Sequence, residues 1–137
     1  MRVFLDTNVL AAALGTRGLC RDVLAEVLEH HLLLCCADVE TELDRALRRK
    51  FGVPAATARE AVDLLRRSSK RVRSRPRWPV PLPDPADAAI VSAAINGKAE
   101  VFVTGDGEIQ ALGAHRGVEV LSPRAFWERV QRRGGGG

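Results

Sequence analysis

Arg2-Val3-Phe4-Leu5-Asp6-Thr7-Asn8-Val9-Leu10 opens the chain. Three apolar residues run directly into Asp6, Thr7 and Asn8, and an apolar, alanine-rich stretch suited to a helix follows. A short, continuously apolar run reads as a buried strand of the kind found in parallel sheets covered on both faces. Ligands of open α/β sheets bind beyond the carboxyl ends of the strands. Asp6 therefore stands where a first strand would deliver a carboxylate to a site. The competing reading is that Asp6 or Thr7 is simply the N-cap of the next helix.

The pattern recurs further along. Val101-Phe102-Val103-Thr104 is a strand signal followed at once by Gly105-Asp106-Gly107-Glu108. Two more short apolar runs, 32–36 and 118–121, complete four predicted strands. Between them lie helical signals: 9–14, 19–29 with apolar residues at three- and four-residue spacing, 39–50 with Asp38 as its N-cap, 55–67, 85–96 and 123–132. In the helix from 39, Val39, Leu43, Ala46 and Leu47 share a face that Lys50 extends, and Glu42 lies at its margin. Asp84-Pro85 is a cap followed by a first-turn proline, and the helix it opens is almost wholly small and apolar, hence buried on most sides. Four prolines between Pro76 and Pro83 make the preceding segment an extended connector. Buried strands alternating with helices define an α/β fold, a three-layer α/β/α sandwich around a mostly parallel central sheet. Residues 1–133 read as one domain and 134–137 as a flexible glycine tail.

Composition excludes several classes. With 46% hydrophobic and 28% charged residues in 137, the chain is globular, neither disordered nor fibrous. No apolar run is long enough to cross a bilayer and the N-terminus lacks the pattern of a secretory leader, so a cytoplasmic protein is expected. Cys20, Cys35 and Cys36 are expected to be reduced and mostly buried, and with no CxxC pair they argue against zinc. The net charge of +4 is uneven: residues 66–77 hold seven basic groups and no acid, leaving 14 basic against 17 acidic elsewhere. A concentrated basic run on a mildly acidic body points to a polyanionic partner, and Arg66, Arg67, Lys70, Arg71, Arg73 and Arg75 are its candidate contacts. A solvated helix end is the plainer reading of that run, as dipole complementation is for Arg45, Arg48, Arg49 and Lys50.

Asp6 and Asp106 both follow buried strands and should face one edge of the sheet. Asp87, in the first turn of the buried helix, and Glu42, early in a helix that follows another strand, can reach the same edge. Asp84 and Glu108 stand close by in sequence. Converging carboxylates repel one another unless compensated. Hard divalent cations such as Mg²⁺ or Mn²⁺ are the usual compensation, and two of them about 3.5–4 Å apart are a common device for hydrolysing phosphodiesters.

These residues resemble the PIN-domain family, the nuclease fold of VapC-type toxins. Val3 to Leu10 is similar to its first motif. Glu42 in Val39-Glu40-Thr41-Glu42-Leu43 resembles its helix-borne glutamate, Asp84-Pro85-Ala86-Asp87 its third motif and Thr104-Gly105-Asp106 its fourth. The resemblance implies a Mg²⁺- or Mn²⁺-dependent endoribonuclease, the toxin of a bacterial type II toxin–antitoxin pair. It implies Asp6, Glu42, Asp87 and Asp106 as catalytic metal ligands supported by Thr7, Asn8 and Thr104. It also implies an RNA substrate, a cognate antitoxin and a homodimer. One departure is Ala86, where many relatives carry aspartate; the third ligand is assigned to Asp87, with Asp84 as a substitute. The alternative within the fold is a catalytically silent PIN-like module that binds RNA or protein. A phosphatase of the haloacid-dehalogenase type would need an acid where Asn8 stands.

Overall fold

The structure, a computed structural model, describes residues 1–135. In chain order it contains β1 (Arg2–Leu5), α1 (Thr7–Gly15), α2 (Leu19–His30), β2 (Leu32–Cys35), α3 (Ala37–Lys50), α4 (Ala55–Ser68), β3 (Lys70–Arg71), α5 (Pro85–Asn96), β4 (Val101–Val103), α6 (Gly107–Gln110), β5 (Ala114–His115), β6 (Val118–Leu121) and α7 (Pro123–Gly135). The sheet order is β3-β2-β1-β4-β6-β5, parallel throughout except for the β5–β6 hairpin. The expected three-layer α/β architecture is the observed one.

Strand order explains where a site can form. From β1 the chain steps outward to β2 and β3; from β3 it returns across the sheet to β4 and continues to β6. Crossovers of one hand require helices on opposite faces for these opposite directions. Helices α1 to α4, with α7 against α2, accordingly pack on one another as one layer, and the same rule assigns α5, on the return crossover, to the other face. The direction reverses between β1 and β4, and that reversal is the crevice in which doubly wound folds bind ligands. β1 and β4 are held in register there by pairing of Leu5 with Val103 and by stacking of Phe4 on Phe102, centroids 5.4 Å apart. Both rings are fully buried, as are Leu5, Leu10, Leu33, Leu34, Leu43, Leu47 and Phe126.

Several expectations change in detail. β3 and β5 are two residues each and carry no apolar run that would mark them as strands; β3 falls inside the basic run, paired to Leu34 and Cys35. Asp38 does not cap α3. The cap is Cys36, and Asp38 lies in the first turn, where it accepts from the Ser74 hydroxyl. Asp6 is the N-cap of α1, so the helix begins two residues earlier than its apolar pattern suggests. Lys50 is exposed, and Glu40, at 6% exposure, takes a place in the buried face of α3. Glu40 is neutralised there by Arg71 and by Arg66 at 3.3 Å. Cys35 and Cys36 are buried free thiols and Cys20 is half-buried. The last helix runs to Gly135, and the rest of the predicted glycine tail, 136–137, lies outside the described residues.

Candidate active site

Asp6 is 6% exposed, and both of its carboxylate oxygens are held. Oδ1 accepts from the Thr7 backbone N–H at 2.8 Å, which is the helix cap. Oδ2 accepts from the Thr104 hydroxyl at 2.7 Å, across the β1–β4 crevice. The two readings of Asp6 therefore coexist, because the cap uses one oxygen and leaves the carboxylate at the sheet edge. Thr104, fully buried at the end of β4, also accepts the Asp106 N–H at 3.0 Å, which fixes the turn that presents Asp106. Asp106 in turn caps the short α6 through the N–H groups of Glu108 and Ile109. Thr7 donates its hydroxyl to Glu42 Oε2 at 2.8 Å, tying α3 to the start of α1.

Asp6, Glu42, Asp87 and Asp106 line one cavity of about 300 Å³ together with Thr7 and Asn8. The remaining wall is α3: Arg45, Arg49 and Lys50 face the same space, and Lys50 Nζ donates to Asn8 Oδ1 at 3.3 Å. Complementing the helix dipole is therefore not the whole of what these three cations do. Their spacing from Glu42, three, seven and eight residues on, already puts them on its face of the helix. Asp84 and Glu108 do not line the cavity; Asp84 is exposed and caps α5 through Ala86 N–H. Thr104 lies behind Asp6, supporting it from the core side.

The four acids are not compensated by protein cations: among the described residues, none of them lies within 4.0 Å of a basic group. The hollow between α3 and α4 differs in this respect, since its carboxylates Glu40, Asp44 and Asp63 are paired with Arg66, Arg71 and Arg48. Lack of partners shows in the protonation equilibria. Burial raises the Asp6 carboxyl above its ordinary value, against the lowering effect of its hydrogen bonds, and Asp106 adds to the rise. Glu42 is raised by burial and by Asp6, Asp38 and Asp84. Asp87 is pushed up to about 6 by burial and then by Asp84, Asp6, Asp106 and Glu42. Asp6, Glu42 and Asp87 are thus raised by burial and by neighbouring carboxylates together. Among the described residues, no three acid, histidine or cysteine side chains stand close enough together to enclose an ion as they are placed.

The basic run lies elsewhere. Arg66 and Arg71 turn to Glu40, and Arg77 to Asp38 at 3.9 Å. Lys70, Arg73 and Arg75 line a separate cleft at the far end of α5.

The PIN domain family model matches residues 2–108, which contain every one of these carboxylates, and the chain belongs to that family. The four-motif resemblance is thereby borne out. Among solved structures, the chain is similar to one described as VapBC2 from Rickettsia felis bound to a DNA fragment from its promoter. The similarity covers 89% of this chain and 98% of that one, with a TM-score of 0.65 and 13% identity, a likeness of fold. No curated protein matches the sequence.

Proposed function

We propose that this PIN-domain chain is a Mg²⁺- or Mn²⁺-dependent endoribonuclease and the toxin of a bacterial toxin–antitoxin pair, acting in the cytoplasm. The observation that carries the reading is the cavity at the β1–β4 reversal, where four carboxylates that form no ion pair among the described residues share one space with three cations of α3. The donor set suits a hard divalent ion: all oxygen, multiply anionic, with room for water. Asp6, Glu42, Asp87 and Asp106 would hold it. Bound there, such an ion supplies Lewis-acid polarisation of a phosphodiester and neutralises its developing charge.

The residues themselves do the positioning. Thr104 and the Thr7 N–H hold the Asp6 carboxylate in one orientation. The Thr7 hydroxyl does the same for Glu42. Arg45, Arg49 and Lys50 are placed to hold the phosphates beside the scissile bond, as cations that neutralise backbone phosphates do without reading bases. The toxin assignment, with a cognate antitoxin as partner, is supported by the family and by the fold shared with VapBC2; a homodimer is part of the same proposal. Among the described residues no helix is long and apolar enough to cross a membrane.

The test is cleavage of a mixed, structured RNA pool with Mn²⁺ or Mg²⁺, with and without EDTA, beside Asp6→Asn. Asparagine keeps the N-cap acceptor but removes the charge. The variant is expected to fold, to be at least as heat-stable as the parent, and to lose cleavage. Wild-type turnover by Asp6→Asn would overturn the mechanism. A folded, metal-binding parent that cleaves nothing would favour the silent binding module.

A further inference from the structure

Helix α5 has an acidic end and a basic end. Its first turn brings Asp87 to the carboxylate cavity; its last residues, Asn96 and Gly97, form part of a second cleft of about 450 Å³. Asp87 and the Gly97 cap are ten residues apart along the helix, about 15 Å. The second cleft is lined by Arg2, Lys70, Arg71, Arg73, Arg75 and Lys98 and, among the described residues, by no carboxylate. Of these, Arg71 is paired with Glu40, and the Arg2 backbone N–H donates to Glu100 at 2.8 Å.

Three features distinguish this cleft from a solvated run of charge. Lys70, Arg73, Arg75 and Lys98 lie within 4.0 Å of no acidic group among the described residues, whereas Arg66, Arg71 and Arg77 of the same run are paired. The backbone that carries the arginines is fastened down: Asn96 donates to the carbonyls of Arg73 at 2.9 Å and Pro76 at 3.0 Å, and accepts from Trp78 Nε1 at 2.7 Å. Arg2 is fixed as one wall, its Nε and Nη2 both donating to the Gly97 carbonyl. Ordered, uncompensated cations around a concave surface are the arrangement that holds a polyanion, and a phosphate backbone is the polyanion whose charges recur at the needed spacing.

Resting on the nuclease reading, we infer that this cleft is a second phosphate-binding site for the same RNA strand, about 15 Å from the carboxylates along α5. At 3.4 Å per stacked nucleotide that span is on the order of four nucleotides. The extended segment from Trp78 to Asp84 runs beside α5 from one site to the other, anchored by Trp78 N–H on Ser92 Oγ and by Asp84 at the helix cap. The substrate is therefore a strand long enough to occupy both, and short oligonucleotides are handled by the carboxylate site alone.

The experiment compares the parent with the combined Arg73→Gln, Arg75→Gln, Lys98→Gln variant, and with Arg73→Lys, Arg75→Lys, which keeps the charge. Fluorescence anisotropy in EDTA follows binding of labelled single-stranded RNA of about 16 nucleotides, a length that covers an extended binding groove. The glutamine variant is expected to lose about tenfold or more in affinity, with a salt dependence shallower by about 2 for three lost phosphate contacts; the lysine variant should bind as the parent does. With metal, the glutamine variant's kcat/KM on the long strand should fall through KM, while a substrate of about 2 nucleotides, shorter than the span between the sites, is cleaved as by the parent. Unchanged long-strand binding, or equal losses in kcat/KM for both lengths, would overturn the inference. So would displacement of the RNA by polyglutamate as effective as by RNA of equal charge, which would assign the cleft to an acidic protein segment. If long-strand binding depends on the cleft but the parent shows no metal-dependent cleavage, the second site stands and the nuclease reading fails.

Discussion

Thr104 shows how one hydroxyl ties three parts of the site together. It donates to Asp6, accepts from the Asp106 backbone and is fully buried. Replacing it with valine keeps the volume but leaves Asp6 Oδ2 and the Asp106 N–H without their partner. Removing a hydrogen-bonding group that orients a metal ligand commonly costs about 10–100-fold in metal affinity or activity. Thr104→Val is therefore expected to reduce cleavage by that order and to raise the metal concentration needed for half-maximal rate. Thr104→Ser should restore most of both, and circular dichroism should show the fold retained in each. A valine variant with parental rate and metal dependence would mean that Asp6 is positioned by its helix cap alone. The family resemblance already implies Thr104 as a supporting residue; by composition a threonine at a strand end is ordinary β-chemistry, and which groups it holds appears only when β1 and β4 lie side by side.

At the scale of elements, α5 is seated by the smallness of Gly97. A Cβ there would lie 2.5 Å from Val72 Cγ1 and 3.3 Å from Leu34 Cδ1, while the backbone φ of −81° is open to any residue. The constraint is thus contact with the buried side chains of β2 and its neighbour, not conformation. Gly97→Ala should destabilise by about 1–3 kcal/mol, the usual penalty for forcing atoms into a packed core, measured as a lower urea midpoint. Val72→Ala in the same chain should recover part of the loss, since it removes the clashing methyl. Additive losses in the double variant would show that the strain lies elsewhere. α3 carries a comparable lesson. Its apolar stripe was legible as Val39, Leu43 and Leu47, but Glu40 was not legible as a buried residue, because what makes it tolerable is Arg66 and Arg71 arriving from α4 and β3. A helical pattern records which face is apolar, not which acid on it will find cations from other elements.

Over the whole molecule, charge is divided between an acidic cavity and a basic cleft, and the acidic half sets a pH dependence. In metal-free protein the Asp87 carboxyl, at about 6 when folded, stands above its ordinary value of 3.8. Between those values the folded state binds more protons than the unfolded chain, so this group's contribution to stability falls as pH rises through the window. Urea unfolding in EDTA should therefore show Asp87→Asn and the parent equally stable below about pH 4 and the variant more stable above about pH 6. Mg²⁺ or Mn²⁺ should shrink the difference by binding the folded parent. A difference independent of pH would show that Asp87 does not feel its neighbours. Much of this architecture was present in the order of residues: apolar runs ending in Asp6 and Thr104–Asp106, a capped and wholly apolar α5, and alternation of strand and helix suffice for a parallel α/β sheet, because strand burial and helix periodicity are local properties of composition. What only the tertiary structure decided is which charges face one another. Chain reversal between β1 and β4 gathers the four carboxylates, the turn of α3 adds Arg45, Arg49 and Lys50 to them, and pairing with Glu40 and Asp38 withdraws part of the basic run while the rest is carried to the far end of α5. The physical reason is range: secondary structure is set by neighbours along the chain, whereas electrostatic partnership is set by distance in space.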